Sequence, residues 1–385
     1  MLFTRLNRLN ARELVSKMDQ RTLRTIDGSL LEGGGQVLRV AAACAVIMQH
    51  PVTINKIRAR RSAPGLKSQH LKGLEVLCLI CQGKLAGGSL NSAEVTVTPG
   101  PINAGHFEAD IQTAGSVMLI IQLVLPCCLY APGPTSLSLR GGTDTDMAPP
   151  VDYTKNVFAP IASKFGVDMS IDVTRRGFFP RGGGEIQATI KNIPGSLTAV
   201  NLLEFGKVLK VEGVCVIADL PDHLADTAID AARATLQRGL PGAADVHINI
   251  KKEVTSYPNA VGKGFGIVLW LRTSTDVVLG ATCISKAGKR GERGTPADVV
   301  GVEAAQALIE DCKLGACVDR HMQDQMILLM GLAAGKSSVV CGPLTQHTLT
   351  AIEIMQQSTP VKFTVDKMND SLFKISCDGI GMKRS

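Results

Sequence analysis

The sequence predicts an α/β (α+β) protein. Three repeated helix–strand–helix–strand–strand units form a large domain, and a smaller α/β domain is inserted before the last unit. The same order of helix and strand patterns occurs in three units of roughly 60 to 80 residues each. Residues 205–316 interrupt that order. The composition, with 39 glycines and 4% aromatic residues, fits an aliphatic core with many tight turns. Because one such unit leaves a sheet face uncovered, the units are expected to pack together.

The first unit follows Ile26-Asp27-Gly28 and a run of glycines. Leu71, Leu74, Cys78 and Cys81 recur at helical spacing and predict one buried helix face, whereas alternating apolar residues predict strands. The predicted elements are a helix over 36–48, a strand over 51–57, a helix from Pro64-Gly65, and strands near 84–90 and 93–98.

The second and third units repeat this pattern. The second is predicted as helix 114–129, strand 135–140, helix 151–165 and strands 167–173 and 185–190. The third is predicted as helix 319–334, strand 337–341, helix 345–357 and strands 361–365 and 372–376.

The stretch between the second and third units has a different order and reads as an inserted α/β domain. Its predicted elements are strand 207–220, helix 222–237, strands 245–254, 265–273 and 277–284, and helix 297–312. The predicted domains are 26–204 plus 317–385 for the large domain, 205–316 for the inserted domain, and 1–25 for a basic N-terminal extension. We expect the extension to be disordered, and an amphipathic targeting segment is the alternative.

Charge and cysteine content limit the classes of function. The net charge of +7 permits a nucleic-acid or phosphate partner without requiring one. The 11 cysteines are odd in number and scattered, which is typical of reduced thiols inside a cell. The most apolar charge-free run, 114–130, contains Gln122 and Pro126 and predicts a buried helix, so we expect no membrane span.

The stretch 342–352 predicts a helix that starts after a Gly-Pro break and carries His347 in its first turn. Unpaired backbone N–H groups at a helix start favour anions, and the helix dipole disfavours a charged imidazole there. A neutral histidine in such a place is a candidate nucleophile toward a phosphate. The alternative is a surface or capping histidine.

Two further stretches carry candidate phosphate-binding residues. The run 31–39 is rich in glycine and leads into a helix, with Glu32 as a candidate cation ligand and Arg39 about two turns in. The run 57–70 clusters Arg and Lys between a strand and a helix, which suits polyphosphate or RNA. A tight turn and a solvated basic loop are the respective alternatives.

Other strings are unusual or excluded. The run Arg176-Gly177-Phe178-Phe179-Pro180-Arg181-Gly182-Gly183-Gly184 predicts a special backbone path without indicating a ligand. Residues 331–337 are similar to a P-loop, but they have three residues between the glycines where a P-loop has four. They also lead into a predicted strand rather than a helix. The histidines show no zinc spacing, so we expect no structural zinc.

These strings together resemble the RNA 3′-terminal phosphate cyclase family. The resemblance covers residues 26–380, and the family's fold agrees with the predicted repeats and insertion. The matching strings are Glu-Gly-Gly-Gly-Gln at 32–36, Ile-Arg-Ala-x-Arg at 57–61, Pro-Gly-Leu-x-x-Gln-His at 64–70, Thr-Ala-Gly-Ser at 113–116, Gly-Gly-Thr-Asp at 141–144, Ala-Pro-Pro at 148–150, the glycine signature at 176–184, Asp324-Gln325, and His347.

The resemblance implies ATP-dependent conversion of an RNA 3′-phosphate end into a 2′,3′-cyclic phosphate. His347 would attack ATP and form a covalent histidine–AMP, AMP would pass to the RNA end, and the 2′-OH would then close the ring. Glu32 would bind Mg²⁺ or Mn²⁺. The implied ATP- and phosphate-binding residues are Arg39, Arg58, Arg61, Gln69, Gln122, Pro149, Tyr153, His321, Asp324 and Gln325, of which Pro149 and Tyr153 belong to the nucleoside pocket.

Two residues depart from the family's usual pattern. Arg60 stands where the family usually has Gly, and His321 where it usually has Tyr, which would weaken stacking on adenine. The alternative functions are a non-enzymatic cyclase-like factor of ribosome biogenesis and a transferase on a similar repeated scaffold. We expect RNA and ATP as partners and no membrane, with the oligomeric state open. The expected location is the nucleus, with the cytoplasm and the mitochondrion as alternatives.

Overall fold

A computed structural model of the protein describes residues 23–286 and 294–384. Residues 1–22 of the predicted N-terminal extension lie outside the described residues. The first unit forms a sheet with the order β1-β2-β4-β3, in which β1 and β2 run parallel. Its elements are β1 (Arg24–Asp27), α1 (Gly35–Met48), β2 (Val52–Asn55), α2 (Ser68–Ile80), β3 (Lys84–Ala86) and β4 (Val95–Thr98).

The second unit repeats this arrangement, with the order β5-β6-β8-β7 within its sheet. Its elements are β5 (Gly105–Asp110), α3 (Val117–Leu129), β6 (Thr135–Gly141), α4, β7 (Met169–Gly177) and β8 (Gly184–Ile190). Helix α4 comprises Val151–Tyr153, a π-helical turn Thr154–Phe158, and Ala159–Lys164. The chain then forms the short strand β9 (Asn201–Leu202).

The insertion forms a separate sheet with the order β11-β10-β13-β14. Its strands β10 and β11 run parallel around a crossover helix, and the second helix packs on β13 and β14. Its elements are β10 (Val208–Ala218), α5 (His223–Gly239), β11 (His247–Thr255), β12 (Ala260–Val261), β13 (Gly264–Thr273), β14 (Val278–Ile284) and α6 (Ala297–Leu314). Strand β12 joins the edge of the second unit's sheet by pairing with β7.

The third unit has the sheet order β9-β15-β17-β16, which is the order of the other two units. After β9, its elements are α7 (Gln323–Leu332), β15 (Ala334–Cys341), α8 (Gln346–Ser358), β16 (Phe363–Lys367) and β17 (Phe373–Ile380). The predicted repeat and fold class are confirmed. Each unit also begins with a strand that pairs parallel with the next one. None of these three first strands was predicted as a strand, and β1 includes Arg24 and Thr25 of the predicted extension. Since β9 pairs with β15, the insertion follows the first strand of the third unit.

Three helices begin later than the sequence pattern predicts, and one of them is α3, which starts at Val117 rather than at residue 114. At Pro64-Gly65 the backbone does not turn into a helix, because Gly65 has φ +73° and Leu66 N–H donates to Ser92 O, so α2 starts at Ser68. Residues 319–322 likewise form a turn before α7, held by the Asp319 side chain. The spacing of apolar residues carries no information about such local hydrogen bonds, which compete with helix formation.

The glycine signature at 176–184 has a packing explanation. A Cβ at Gly177 would lie 2.3 Å from Gly184 N, and one at Gly182 would lie 2.3 Å from Thr113 O. Gly182 also has φ +65°, a backbone conformation that side chains rarely adopt. The signature thus lets β7 and β8 meet closely and seats their connecting loop against residues 113–114.

Helices of different units pack on one another, with α8 against α1, α1 against α3, and α2 against α3. Aliphatic side chains and buried thiols fill the space between them. Among the helices of residues 23–286 and 294–384, none combines the length and the apolar character that a membrane span needs. The packing brings the N-terminal ends of helices from separate units to the candidate site.

Candidate active site

His347 is the second residue of α8, directly after the chain leaves β15 through Gly342-Pro343. Thr345 caps this helix, because its Oγ1 accepts a hydrogen bond from Thr348 N–H at 3.1 Å. The side chain of His347 is 50% exposed. The imidazole therefore stands at a capped helix start with one face open to solvent.

A buried glutamine holds this helix start in place. Gln323, 1% exposed, lies at the first position of α7. Its Oε1 accepts hydrogen bonds from Thr345 N–H at 3.2 Å and Thr348 Oγ1–H at 2.9 Å, and its Nε2 donates to Pro343 O at 3.3 Å. The sequence analysis missed Gln323, because nothing in its pattern separates it from an ordinary helix residue.

Glu32 connects the nucleophile candidate to the basic loop of the first unit. Its Oε2 lies 2.6 Å from His347 Nδ1, and its Oε1 forms an ion pair with Arg61. A carboxylate beside Nδ1 favours the tautomer that carries the proton on Nδ1. The Nε2 atom of His347 then keeps its lone pair for attack on an electrophile.

In the basic loop that contacts the Glu32 carboxylate, two guanidinium N–H groups, Arg58 Nε and Arg61 Nε, are buried without a hydrogen-bond partner among the described residues. Buried polar atoms are normally satisfied, so unsatisfied ones clustered at one place indicate a ligand site. Two guanidinium donors suit an anion such as a phosphate, and the carboxylate oxygen suits a cation.

Protein side chains supply only part of the ligands that a divalent cation would need here. In residues 23–286 and 294–384, no group of at least three His, Cys, Asp or Glu side chains could hold a metal ion. Magnesium is commonly bound by one or two carboxylates together with substrate phosphates. The Glu32 carboxylate, beside Arg61 and the two guanidinium N–H groups without partners, fits that mode of binding.

His70 is a second histidine of the site. The sequence identified it only as part of the string 64–70 that resembles the family, and no role was predicted for it. It is 6% exposed and is the third residue of α2. Burial, followed by the charges of Arg39, Arg58 and Lys67, lowers the pKa of His70 to about 3. Its Nδ1 accepts from Lys67 N–H at 3.2 Å, which leaves the proton on Nε2.

The Nε2 atom of His70 faces the start of α1. A Cβ at Gly35 would lie 2.6 Å from this atom, so the glycine leaves room for the imidazole. A neutral N–H donor therefore joins the unpaired backbone N–H groups of the first turn of α1. This combination is suited to an anion.

A small cleft lies beside these residues, between α1, α3, α4 and α7. It brings together sequence-predicted residues from all three units, although the chain separates them widely. Arg39, Gln122, Asp324 and Gln325 line it, together with Phe158, which the sequence analysis did not name. Burial lowers the pKa of Arg39 and raises that of Asp324, while nearby His347 and Arg39 oppose the rise at Asp324.

Gln69 has a structural hydrogen bond in this arrangement. Its Oε1 accepts from Ser116 N–H at 3.0 Å, which joins α2 of the first unit to the residue that precedes α3 of the second. Gln325 donates from Nε2 to His321 O at 2.7 Å. Both glutamines therefore brace neighbouring segments of the site, and a direct role in phosphate binding stays a prediction.

The predicted nucleoside residues lie at the start of α4 and before α7. Pro149 is partly exposed and precedes α4, and His321 is exposed. Tyr153 is 1% exposed, so its ring lies beneath His321 in an edge contact with ring centroids 6.3 Å apart. Tyr153 Oη donates to Asp319 Oδ1 at 2.7 Å. Tyr153 is thus placed to support His321 rather than to face a ligand.

Comparison with known proteins gives a consistent result. Residues 30–365 match the RNA 3′-terminal phosphate cyclase family. A protein named RNA 3′-terminal phosphate cyclase from Pyrobaculum aerophilum is 40% identical over 362 residues, which are 93% of this chain and 99% of the relative. One of the same name from Drosophila melanogaster is 38% identical over 365 residues, with 94% and 98% covered.

A further relative of this name, from Hyperthermus butylicus, is 37% identical over 363 residues, with 94% of this chain and 99% of the relative covered. The resemblance that the sequence motifs indicated is confirmed. The chain belongs to the RNA 3′-terminal phosphate cyclase family.

Proposed function

We propose that the protein converts an RNA 3′-phosphate end into a 2′,3′-cyclic phosphate with ATP, through a covalent AMP on His347. The observation that carries the proposal is the pairing of His347 Nδ1 with Glu32 Oε2 at 2.6 Å, beside arginines with unsatisfied buried N–H groups. This arrangement combines an available Nε2 lone pair with donors for the charge of a phosphate. Nucleotidyl transfer needs those two features together.

In the first step, Nε2 of His347 attacks the α-phosphorus of ATP. A nitrogen–phosphorus bond forms, the bond from the α-phosphorus to the bridging oxygen of the β-phosphate breaks, and pyrophosphate leaves. The proton on Nδ1 stays beside Glu32, whose carboxylate stabilises the positive charge that the imidazole gains. Arg58 and Arg61 are positioned to bind the phosphate oxygens.

In the second step, an oxygen of the RNA 3′-phosphate attacks the AMP phosphorus and the bond to His347 breaks. In the third step, the ribose 2′-oxygen attacks the 3′-phosphorus, AMP leaves, and the 2′-OH proton passes to solvent. Only a ribose end can complete this step, because deoxyribose lacks the 2′-OH. The chain's own contribution is positioning and charge neutralisation, which dominate phosphoryl-type transfer.

A divalent cation, Mg²⁺ or Mn²⁺, would be held by Glu32 together with ATP phosphates. When bound, such a cation supplies charge neutralisation on phosphate oxygens. The support for this assignment is the partly buried Glu32 carboxylate beside guanidinium N–H groups that have no partner among the described residues. Because the same carboxylate contacts His347, cation binding and alignment of the imidazole are expected to depend on one residue.

The test is covalent labelling followed by product analysis. The protein is incubated with Mg²⁺ and α-labelled ATP, and acid-labile label on the protein is measured for wild type and His347→Ala. An RNA with a 3′-phosphate is then added, and 2′,3′-cyclic phosphate ends are separated by chromatography from 3′-phosphate and adenylylated ends and counted. The matched control RNA differs only in a terminal 2′-deoxyribose and is expected to stop at the adenylylated end.

The competing function is that of a non-enzymatic cyclase-like factor in ribosome biogenesis. Absence of label on the wild-type protein would favour this alternative, whereas equal label on His347→Ala would contradict a covalent AMP on His347. The contacts of Glu32 with both His347 and Arg61 support the enzyme instead. We also propose a nuclear location, which imaging of the tagged full chain in cells can test against the cytoplasm and mitochondria.

A further inference from the structure

The inserted domain is joined to the second unit by two buried links at consecutive residues of α4, Asp152 and Tyr153. Asp152 and Tyr153 each contact a charged side chain, and that side chain in turn contacts a residue of the insertion. The first link is Arg176, 4% exposed, whose Nη1 lies 2.6 Å from Asp152 Oδ2 and whose Nη2 lies 2.8 Å from Glu253 Oε2 of β11. The second link is Asp319, whose carboxylate contacts Tyr153 and Gly280 of β14.

Asp319 is 0% exposed, and both of its carboxylate oxygens accept hydrogen bonds. Oδ1 accepts from Tyr153 Oη at 2.7 Å, from His321 N–H at 2.9 Å and from Met322 N–H at 3.0 Å. Oδ2 accepts from Gly280 N–H of β14 at 2.8 Å. One carboxylate therefore joins the insertion, the second unit, and the turn that carries His321.

Gly280 also touches the ring that supports His321. A Cβ at Gly280 would lie 2.8 Å from Tyr153 Cε2 and 2.5 Å from Val157 Cγ2. Strand β14 thus packs directly on the aromatic ring, and the ring packs edge-on against His321. A shift of β14 would move Tyr153 and, through Asp319, the backbone of His321.

We propose that the inserted domain positions the nucleoside-binding surface, defined here as Pro149 and His321, with Asp319 as the positioning residue. This inference rests on the proposed function and assigns a role to the insertion. Every partner of the Asp319 carboxylate is a donor, so replacement by Asn turns an amide N–H₂ toward at least one N–H or O–H. The mismatch would move the His321 turn without altering His347 or the phosphate-binding arginines.

The experiment compares Asp319→Asn and Gly280→Ala with wild type in the full chain. The control is Gly195→Ala, since a Cβ at Gly195 meets nothing within 4 Å. KM for ATP and the maximal rate of covalent labelling are measured, together with labelling by GTP. We expect KM for ATP to rise roughly tenfold at a maximal rate within about twofold, and the preference for ATP over GTP to fall.

Affinity is also measured without chemistry, by calorimetry with non-hydrolysable ATP and GTP analogues. The expected result is about tenfold weaker binding of the ATP analogue and little change for the GTP analogue. Equal weakening for both, or no change in either, overturns the positioning role. Because this readout needs no covalent step, it decides the inference even if wild type forms no histidine–AMP, an outcome that would defeat only the proposed function.

Tyr153→Phe provides a variant that keeps the ring and removes one hydrogen bond to Asp319. It is expected to fold and to show the same loss of base preference in a milder form. Thermal unfolding of each variant identifies any that fails to fold. If Tyr153→Phe folds normally and keeps the wild-type preference for ATP, the route from Asp319 through Tyr153 is excluded.

Discussion

Two histidines occupy matching places in the repeat and have opposite surroundings. His70 is the third residue of α2, the second helix of the first unit, and His347 is the second residue of α8, the second helix of the third unit. His70 is buried among cationic side chains, with its pKa lowered to about 3. The side chain of His347 is 50% exposed and faces the carboxylate of Glu32.

The difference shows that the position in the repeat supplies a helix N-terminus, and the neighbouring side chains decide its chemistry. Burial beside Arg39 and Arg58 keeps His70 neutral, with an N–H donor but no exposed lone pair. Contact with Glu32 leaves His347 with an accessible Nε2. The first arrangement suits binding of a phosphate, and the second suits attack on one.

Replacement of each histidine by glutamine should give the largest difference in the rate of covalent labelling. His347→Gln is expected to reduce covalent labelling by on the order of 10³-fold or more, because no nucleophile remains. His70→Gln is expected to cost only about tenfold, since the amide still offers a neutral donor. Labelling rates with α-labelled ATP measure both changes. A labelled His347→Gln protein, or equal losses at the two sites, would remove the distinction.

Glu32→Gln should have the next largest effect. The amide keeps the shape of the side chain but loses the charge that contacts His347 and Arg61. Loss of one preorganised charge commonly costs roughly 10²-fold in rate. Labelling as a function of Mg²⁺ concentration is the measurement, with Glu75→Gln as a control in a surface ion pair with Lys72. An unchanged rate and Mg²⁺ dependence would show that Glu32 serves neither partner.

Gln323→Ala tests whether the α8 helix start must be held rigidly. The change removes the hydrogen bonds to Pro343 O, Thr345 N–H and Thr348 Oγ1. Misplacement of the imidazole is expected to lower the labelling rate roughly tenfold. The comparison variant Thr345→Ala loses the helix cap and should cost about 1 kcal/mol of unfolding free energy. If Gln323→Ala changes stability but not rate, Gln323 has no positioning role.

The smallest predicted effect is a pH dependence of stability that His70 contributes. Because the pKa of His70 falls from 6.5 to about 3 on folding, the unfolded chain binds the proton first as pH decreases. The part of the free energy of unfolding that the neutral, buried His70 provides is fully present above pH 6.5. It is lost as pH falls toward 3, by about 1.4 kcal/mol per pH unit.

The His70→Gln variant should therefore lose less stability than wild type between pH 7 and pH 5. Urea unfolding at the two pH values measures the difference, and Gly195→Ala, which introduces no contact within 4 Å, is the control that should follow wild type. Parallel pH dependences for wild type and His70→Gln would contradict the assigned burial of a neutral imidazole.

Local periodicity predicted most of the helices and strands, because each strand face or helix face records its own burial. The repeat was visible for the same reason. The first strands of the three units, β1, β5 and β9, were not predicted, since their parallel pairing with β2, β6 and β15 depends on residues distant in the chain. The late starts of α2 and α7 also escaped prediction, because local hydrogen bonds rather than apolar spacing determine them.

The sequence by itself determined the fold class, the family and the identity of the chemically capable residues, because side-chain type and spacing are local properties. Only the tertiary structure decided how those residues meet. It brings Glu32 to His347 across more than half the chain, buries His70, and places Tyr153 under His321 rather than in the open. Burial and mutual distance, which govern protonation and access, arise only when separate units pack together.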